Sequence, residues 1–311
     1  MVHALDRRLR RLRRLPRPAL AFGVALGIAL STMLGAAVAG AASAGAAAPP
    51  SANPFRIGRT LVIPHGGGDG QYPEDTMLAY EKTMAAGADV VDVDLQLSKD
   101  GVVVVIHDGT TKRTTGTVGT VSAMTVAELQ KLDAGWSFGS ATSHPFRGKN
   151  VRIPTFEEVL KRFPKSLLSI DLKNESMAMI TPLCNLLRAY GRRFDAFVGS
   201  NSDAQILAFR RECPDVRTSA IMVDVRASQA ARASGSKTFV PDVVVDQPPY
   251  RFGDRVLVDK ESLAFAHAHG IAILTWVVND PADMKRLLNL GVDGIYTSYP
   301  DRLLALEPAR R

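Results

Sequence analysis

From Thr60 onward, short apolar runs rich in β-branched residues alternate with segments that have the spacing of amphipathic helices. Continuous apolar runs of this length are typical of strands buried on both faces of a parallel sheet. Their alternation with helices over roughly 250 residues predicts an α/β fold with a parallel sheet, either open or closed into a barrel. We identify nine candidate strands, at residues 61–65, 89–97, 102–107, 167–173, 196–200, 218–223, 242–246, 271–277 and 293–297.

The second and third candidate strands are joined by a very short turn, Ser98-Lys99-Asp100-Gly101. Parallel neighbours need a crossover of about a dozen residues or more, so we expect an antiparallel hairpin here. The hairpin would also account for one strand more than a (β/α)8 barrel needs. With the turn centred on Lys99 and Asp100, strand pairing places His107 opposite Asp92.

The first 48 residues stand outside this alternation. Residues 1–18 contain seven arginines, residues 19–48 contain no charged side chain, and Ala42-Ser43-Ala44 and Ala46-Ala47-Ala48 have Ala-x-Ala spacing. These features are typical of a secretory signal, although the apolar stretch is also long enough for a membrane anchor. We predict a signal peptide at 1–48, a linker at 49–59, one domain at 60–311, and a secreted or cell-envelope location.

The charge of the chain gives no indication of a nucleic-acid partner. The formal net charge is +7, but residues 1–18 carry seven arginines against one aspartate. The rest of the chain is therefore close to neutral, and it contains no basic stripe with interleaved aromatic residues. Membrane proximity remains possible because of the N-terminal segment, and the sequence does not indicate an oligomeric state.

The chain has two cysteines, Cys184 and Cys213. In an exported protein they could form one disulfide. Two unpaired, buried thiols are the alternative, and the sequence favours neither.

Two candidate strands carry charged side chains at alternate positions. Asp92 and Asp94 share one face of their strand, as do Asp171 and Lys173 on theirs. Neighbouring carboxylates repel each other, so a hydrated mouth or a cation is needed beside Asp92 and Asp94. An ammonium next to a carboxylate suits a metal bound to a phosphate, although a solvated edge and a plain salt bridge are the simpler interpretations.

His65 ends the first candidate strand and opens the loop Gly66-Gly67-Gly68-Asp69-Gly70. The carboxyl ends of barrel strands are where catalytic residues gather. Glycines let the backbone approach a ligand closely, although this loop alone is weak evidence for a site.

Several motifs together resemble the glycerophosphodiester phosphodiesterase family. They run in order over about residues 60–302. The motifs are Pro64-His65-Gly66-Gly67, Tyr72-Pro73-Glu74-Asp75-Thr76, the segment 87–101, Val104-Val105-Ile106-His107-Asp108, Arg113-Thr114-Thr115, Ile153-Pro154-Thr155-Phe156, Ile170-Asp171-Leu172-Lys173, Trp276-Val277-Val278-Asn279 and the segment 291–297.

The resemblance implies a TIM (β/α)8-type barrel with the added β-hairpin near the active-site mouth, and metal-dependent hydrolysis of glycerophosphodiesters to an alcohol and glycerol 3-phosphate. A divalent cation, Ca²⁺ or Mg²⁺, is implied as cofactor, and a small glycerophosphodiester or a phospholipid headgroup as substrate. Carried over residue by residue, His65 and His107 would be the catalytic acid/base pair. The metal ligands would be Asp92, Asp94, Asp171 and Glu74, and Lys173 would bind the substrate phosphate.

Three departures from the family pattern bear on the substrate. Gly66 replaces the arginine that follows the first histidine in the family, and Asp92 and Asp171 each replace a glutamate. Sphingomyelinase D-type enzymes also pair an aspartate with a lysine at the third position. The departures therefore leave a phospholipase D- or sphingomyelinase D-like activity on phospholipid headgroups as an alternative.

Two other functions are compatible with parts of the sequence. Gly135-Trp136-Ser137-Phe138-Gly139 fits the G-x-S-x-G pattern of an α/β-hydrolase serine esterase, with Asp246 and His267 or His269 later in the chain. However, Ser137 follows a helical segment and precedes a polar one, whereas a nucleophile elbow needs a strand and then a helix. A non-catalytic binding barrel is the other alternative, motivated by the missing arginine.

Overall fold

A computed structural model describes residues 53–174, 176–236 and 238–307 of the chain. The predicted signal peptide at 1–48 lies outside the described residues and stays a prediction. Within the described ranges, no helix is both long enough and apolar enough to cross a membrane.

The described part of the chain contains eight parallel strands arranged around a barrel, which confirms the predicted fold. Their order is β1-β2-β4-β5-β6-β7-β10-β11, and β11 pairs back onto β1. The bounds are β1 Leu61–Pro64, β2 Val90–Leu97, β4 Leu167–Leu172, β5 Ala196–Ser200, β6 Arg217–Thr218, β7 Val245–Asp246, β10 Ala272–Thr275 and β11 Gly294–Thr297.

Two contacts complete the ring where the ladders are interrupted. Between β1 and β2, the backbone N–H of Asp89 donates to the carbonyl of Val62 at 3.0 Å. Between β6 and β7, a single parallel bridge joins Ser219 and Val245. The β6–β7 seam is therefore much more weakly paired than β2 and β4, which stay in register from Val90 to Leu95.

Helices cover the outside of the barrel. Several of their first turns are capped by side chains: Thr125 and Thr155 form capping boxes with glutamates three residues on, and Asp280 caps the helix that begins at Pro281. The helices are α1 Met77–Ala85, α2 Lys112–Thr115, α3 Val126–Leu129, α4 Phe156–Arg162, α5 Ile180–Ala189, α6 Asp203–Glu212, α7 Met222–Ser234, α8 Lys260–Ala268, α9 Pro281–Leu290 and α10 Pro300–Leu306.

The barrel interior is apolar at one end and polar at the other. Leu61, Ile63, Val90, Phe197 and Leu274 pack inside it, and Phe55 closes this end with its ring 4.9 Å from that of Phe197. Because side chains alternate along a strand, the next inward positions of β2 and β4 are polar: Asp92, Asp94, Ser169 and Asp171. The polar positions lie toward the carboxyl ends of the strands, where barrel enzymes have their sites.

The predicted hairpin is present, but its predicted register is wrong by one residue. Strand β3 (Val103–Val105) pairs antiparallel with β2, with Leu95 opposite Val105. The turn holds three residues rather than two, because Gly101 adopts a φ of 77°, a conformation that favours glycine. His107 is therefore not opposite Asp92 and lies beyond the end of β3.

The candidate strand at 218–223 is also wrong beyond Thr218. The carboxylate of Asp224 accepts a hydrogen bond from the backbone N–H of Ile221 at 3.0 Å, and helix α7 starts at the next residue, Met222. A short hairpin that the sequence did not predict, β8 (Arg251–Phe252) with β9 (Arg255–Val256), lies between β7 and α8.

Cys184 of α5 and Cys213, at the end of α6, form a disulfide. Their Cα atoms are 5.9 Å apart, and both side chains are buried. The disulfide joins two neighbouring outer helices, so of the two possibilities left by the sequence, the bonded pair is the one in the structure.

Candidate active site

His65 follows strand β1 directly and begins a short 3-10 turn, His65–Gly67. Three consecutive glycines, Gly66 to Gly68, all have positive φ, and a Cβ on Gly67 would lie 2.8 Å from the Cβ of Ala79. Glycine is therefore required for this loop to turn tightly against helix α1. The turn also directs the backbone N–H of Gly66 to the carboxylate of Asp92, at 3.1 Å.

The ring of His65 is oriented by Asp69, one turn further along the same loop. Nδ1 of His65 lies 3.1 Å from Oδ2 of Asp69. Burial alone would lower the pKa of His65, but the bond to Asp69 and the charges of Asp92 and Asp94 outweigh it and raise the pKa to about 9. His65 is thus an imidazolium at neutral pH, the form that can give up a proton.

Asp92 is buried at the bottom of the polar mouth. Its Oδ1 accepts a hydrogen bond from Ser169 Oγ at 2.7 Å, and Ser169 is in turn 2.9 Å from the hydroxyl of Tyr296. Gln247 donates to the same hydroxyl at 2.7 Å. Burial raises the pKa of Asp92, although His65 and Ser169 oppose the shift. The network therefore holds the Asp92 carboxylate in one position.

Asp94 and Asp171 are direct neighbours in the register of β2 and β4, and Lys173 lies between their carboxylates. Its Nζ is 2.7 Å from Asp171 Oδ2 and 3.1 Å from Asp94 Oδ1. Burial raises the pKa of Asp94 to about 6, with Lys173 opposing and Asp92 and Asp171 adding to the shift. Burial would lower the pKa of Lys173, but Asp171 and Asp94 outweigh it and raise that pKa.

His107 lies on the other side of the mouth and is held by a chain of charged groups. Its Nδ1 is 2.8 Å from Asp108 Oδ1, and Arg113 Nε donates to Asp108 Oδ2 at 2.6 Å. The same guanidinium donates to both carboxylate oxygens of Glu74. The bond from Arg113 lowers the pKa of Asp108, which is thus a carboxylate that can accept the ring N–H of His107.

Asp75 is a buried carboxylate beside this group. It has a φ of 55°, unusual for a residue other than glycine, and it accepts a hydrogen bond from the hydroxyl of Tyr80 at 2.9 Å. Its Oδ2 is buried without a hydrogen-bond partner in the described part of the chain. Burial and the charges of Asp94 and Glu74 raise the pKa of Asp75.

The predicted site residues surround two adjoining cavities. One, of about 780 Å³, is lined by His65, Asp92, Asp94, His107, Asp171 and Lys173. The other, of about 220 Å³, is lined by His65, Asp94 and His107 together with Glu74 and Arg113. The two cavities share both histidines, so residues far apart in the sequence are brought to one mouth.

The donor set of this mouth fits a hard divalent cation. Glu74, Asp75, Asp92, Asp94 and Asp171 offer carboxylate oxygens, the ligands that Ca²⁺ and Mg²⁺ prefer. Burial raises the pKa values of Asp75, Asp92 and Asp94, and neighbouring carboxylates add to the shift at Asp75 and Asp94. In the described residues, however, no group of three or more His, Cys, Asp or Glu side chains is already arranged as metal ligands. The metal roles stay predictions.

Several residues around the site were not assigned a role from the sequence. Four of them lie within or next to the motifs: Asp69, Asp75, Asp108 and Arg113. The sequence could have pointed to them only through their closeness along the chain to His65, Glu74 or His107. The residues behind Asp92 gave no comparable local pattern. They are Ser169, Gln247 and Tyr296.

The nucleophile elbow of a serine esterase is not formed. Ser137 is an exposed loop residue whose backbone N–H donates to the carbonyl of Thr114, and the residues directly before it, 131–136, form turns and bends and not a strand. Nε2 of His267, a triad candidate, lies 2.7 Å from Oδ2 of Asp293. No described contact joins His267 to Ser137. The serine esterase interpretation is therefore wrong.

Groups able to give and take protons on two sides of a charged cleft are what cleavage of a phosphodiester requires. The barrel places them at its carboxyl end, and fold and site together define a barrel phosphodiesterase. The chain belongs to the glycerophosphoryl diester phosphodiesterase family, whose model matches residues 65–302. This confirms the resemblance found in the motifs and the prediction that the protein is an enzyme of this family.

Comparisons with individual proteins agree with the family. The chain is 31% identical over 256 residues to a glycerophosphodiester phosphodiesterase of Bacillus subtilis (strain 168), covering 78% of this chain and 85% of the relative. It is 27% identical over 267 residues to a lysophospholipase D of Mus musculus, covering 78% and 84%. A solved phosphodiesterase of Oleispira antarctica, in complex with the product sn-glycerol-3-phosphate, has a similar fold, with a TM-score of 0.66, 22% identity and coverage of 81% and 98%.

Proposed function

We propose that the protein hydrolyses glycerophosphodiesters to an alcohol and glycerol 3-phosphate. The observation that carries the proposal is the placement of His65 and His107 on one cavity that also contains Lys173. The curated Bacillus subtilis relative is named for this activity, and the Oleispira antarctica structure contains this product.

The two histidines are proposed to have opposite roles. His65, protonated at neutral pH beside Asp69, gives a proton to the oxygen of the leaving alcohol. His107 has Nδ1 engaged by Asp108, which leaves Nε2 to take a proton from the attacking hydroxyl. The nucleophile is water or a neighbouring hydroxyl of the substrate, and the bond that breaks is the one between phosphorus and the alcohol oxygen.

Lys173 and a divalent cation would balance the charge of the phosphate. The Lys173 ammonium already lies against two carboxylates at the mouth and can turn toward a phosphate oxygen. A Ca²⁺ or Mg²⁺ ion would be held by Glu74, Asp92, Asp94 and Asp171. When bound, it would neutralise charge that develops on the non-bridging oxygens.

A phospholipid-type substrate is a second candidate, favoured by the size of the cavity. At about 780 Å³ it is as large as sites that bind drug-sized ligands, and its walls include Ile221, Val256 and Trp276. The Mus musculus relative is named a lysophospholipase D. A secreted or cell-envelope location, proposed from the arginine-rich start and the Ala-x-Ala sites, would give access to such substrates.

The test incubates the purified protein with glycerophosphoglycerol and measures release of sn-glycerol 3-phosphate. In parallel, the protein is incubated with a lysophospholipid and release of the headgroup alcohol is measured, each reaction being run with and without EDTA. We expect hydrolysis that EDTA abolishes and that Ca²⁺ or Mg²⁺ restores. Absence of phosphodiester hydrolysis with every divalent cation would favour a non-catalytic binding barrel. An equal rate of hydrolysis with and without EDTA would contradict the proposed metal dependence.

A further inference from the structure

A side chamber opens off the active-site cavity, outside the barrel wall. The cavity that His65 and Lys173 line is also lined by Ser200, Pro248 and residues of helices α7 and α8. We define the side chamber by six of the residues that line it: Ile221, Val225, Asp246, Val258, Phe265 and Ile273.

The chamber lies where helix α7 packs loosely over the weakly paired β6–β7 seam. Of the residues of α7, Ala231 is the one that is buried. Met222 and Val223, at its start, are 52% and 51% exposed. Beneath it, β6 and β7 share a single bridge, so the wall between the barrel mouth and the helix layer is open there.

The side chain of Asp246 projects into this chamber. Val245, the preceding residue of β7, packs inside the barrel with Phe197 and Leu274. Successive side chains of a strand point to opposite faces, so Asp246 faces the helices. Ile273, its register partner on β10, packs on that same outer side with Val258 and Ala266.

Asp246 has no positively charged partner among the residues that the structure describes. It accepts a hydrogen bond from the backbone N–H of Gln247, and it forms no ion pair with any residue that the structure describes. The charged group that acts on it is Asp224, of the same sign, which Arg210 already binds at 2.6 Å. Burial raises the pKa of Asp246 to about 6, so the group is mostly ionised at neutral pH.

An ionised carboxylate among apolar side chains is costly unless a cation joins it. Arg232 and Arg255 also line the cavity, but neither forms an ion pair with Asp246, and the chamber is continuous with the catalytic cavity. A ligand is therefore the natural source of the positive charge.

We propose that the side chamber binds an ammonium group carried by the alcohol part of the substrate, with Asp246 as its counter-ion. The inference rests on the proposed phosphodiesterase function and names a substrate class for it. The apolar walls suit the methylene groups of an alkylammonium chain, whereas an alcohol without a positive charge would leave Asp246 unpaired.

The position of the chamber sets the length of the alcohol. His65 and His107 line the cavity at the barrel mouth, whereas Asp246 lies on the outer face of β7, so a ligand that reaches both must extend across the barrel wall. We therefore expect an ammonium on a chain of several methylene groups to be preferred over one on a two-carbon chain.

The experiment compares two series of glycerophosphodiesters, whose alcohol is either an ω-aminoalkyl chain or the neutral alkyl chain of equal length. We expect the wild-type kcat/KM to be higher for the amine by about tenfold at the preferred length, the usual size of one charged contact. Asp246→Asn, which keeps the shape of the side chain, should reduce this preference to within about twofold.

Asp242→Asn is the matched control, because Asp242 is exposed near the same strand and is not part of the cavity lining. It should leave the preference for the amine as in the wild type. The inference is overturned if Asp246→Asn keeps the preference, or if Asp242→Asn loses it equally.

A binding measurement separates this inference from the proposed function. Calorimetry with 6-aminohexanol, which has no phosphate, should show binding to the wild type that is lost in Asp246→Asn. If neither diester series is hydrolysed, the proposed function fails while the aminohexanol measurement still decides on the chamber. If the diesters are hydrolysed but aminohexanol does not bind, the chamber has no ammonium site.

Discussion

Nδ1 of His65 lies 3.1 Å from the carboxylate of Asp69, so the first of the two proposed catalytic histidines is oriented by a residue of its own glycine loop. The loop can turn back in this way because three glycines with positive φ separate the two residues. This one contact orients the ring and contributes to its high pKa.

The pKa of His65 should fall when Asp69 is replaced. In the folded protein the pKa is raised to about 9 with the help of the bond to Asp69, which favours the imidazolium. Asp69→Asn removes a negative charge and should therefore lower the pKa, which NMR titration of the His65 ring protons would measure. The signals of His269, which contacts Phe265, serve as an internal control. An unchanged pKa of His65 would mean that Asp69 does not set its protonation.

Metal binding and acid–base catalysis should be separable by substitution. Asp94→Asn removes a proposed ligand, so metal affinity and rate should fall together, and added metal should partly restore the rate. His107→Ala should lower kcat by about 10²–10⁴-fold, the usual contribution of a general acid or base, with metal affinity nearly unchanged. Calorimetry with Ca²⁺ and steady-state kinetics on both variants would show this. Loss of metal binding in His107→Ala but not in Asp94→Ala or Asp94→Asn would contradict the division of roles.

Ser137 should be dispensable. It lies in an exposed loop and does not line either cavity around the histidines. Ser137→Ala should therefore keep phosphodiester kcat/KM within about twofold of the wild type, as is usual for surface substitutions. A serine-directed phosphonate should leave the activity intact, and covalent labelling of Ser137 with loss of activity would be the contrary result.

Asp246 should make the stability of the fold depend on pH. Its pKa is raised from its ordinary value of 3.8 to about 6, so ionisation of this group opposes folding. The stabilising contribution is fully present below pH 3.8 and is lost as the pH rises to about 6, by at most about 3 kcal/mol. Asp246→Asn should thus raise Tm relative to the wild type at pH 7.5 and not at pH 3.5. Equal Tm differences at both pH values in thermal scans would rule out titration of Asp246 as the cause.

The sequence was sufficient to predict the barrel and the residues whose side chains meet at its mouth. Apolar alternation predicted the strands, and Asp92 and Asp94 lie inside the barrel as their spacing indicated. It was not sufficient for the hairpin register, because one left-handed glycine, Gly101, adds a residue to the turn. A slip of one residue would normally move a side chain to the other face, but His107 lies past the end of β3 and still reaches the mouth.

The sequence did not predict the contacts between elements that lie far apart in the chain. The Ser169–Tyr296–Gln247 network joins β4, β11 and the residue after β7, which lie far apart in the chain. Asp246 is the clearest case, because in the sequence it served only as a candidate triad acid for an esterase. Its actual surroundings depend on how loosely α7 covers the barrel, which no local pattern records.

The single bridge between Ser219 and Val245 leaves one seam of the barrel wall with few backbone hydrogen bonds. We expect this seam to open locally more easily than a long ladder does. The long ladder between β2 and β4, which carries Asp92, Asp94 and Asp171, is on the opposite part of the strand order and need not move when the seam opens. Substitutions along the seam could thus change which alcohols the enzyme admits while the catalytic groups keep their positions. The two tasks would thus depend on different strands, because the β2–β4 ladder carries the three aspartates and the β6–β7 seam borders the side chamber.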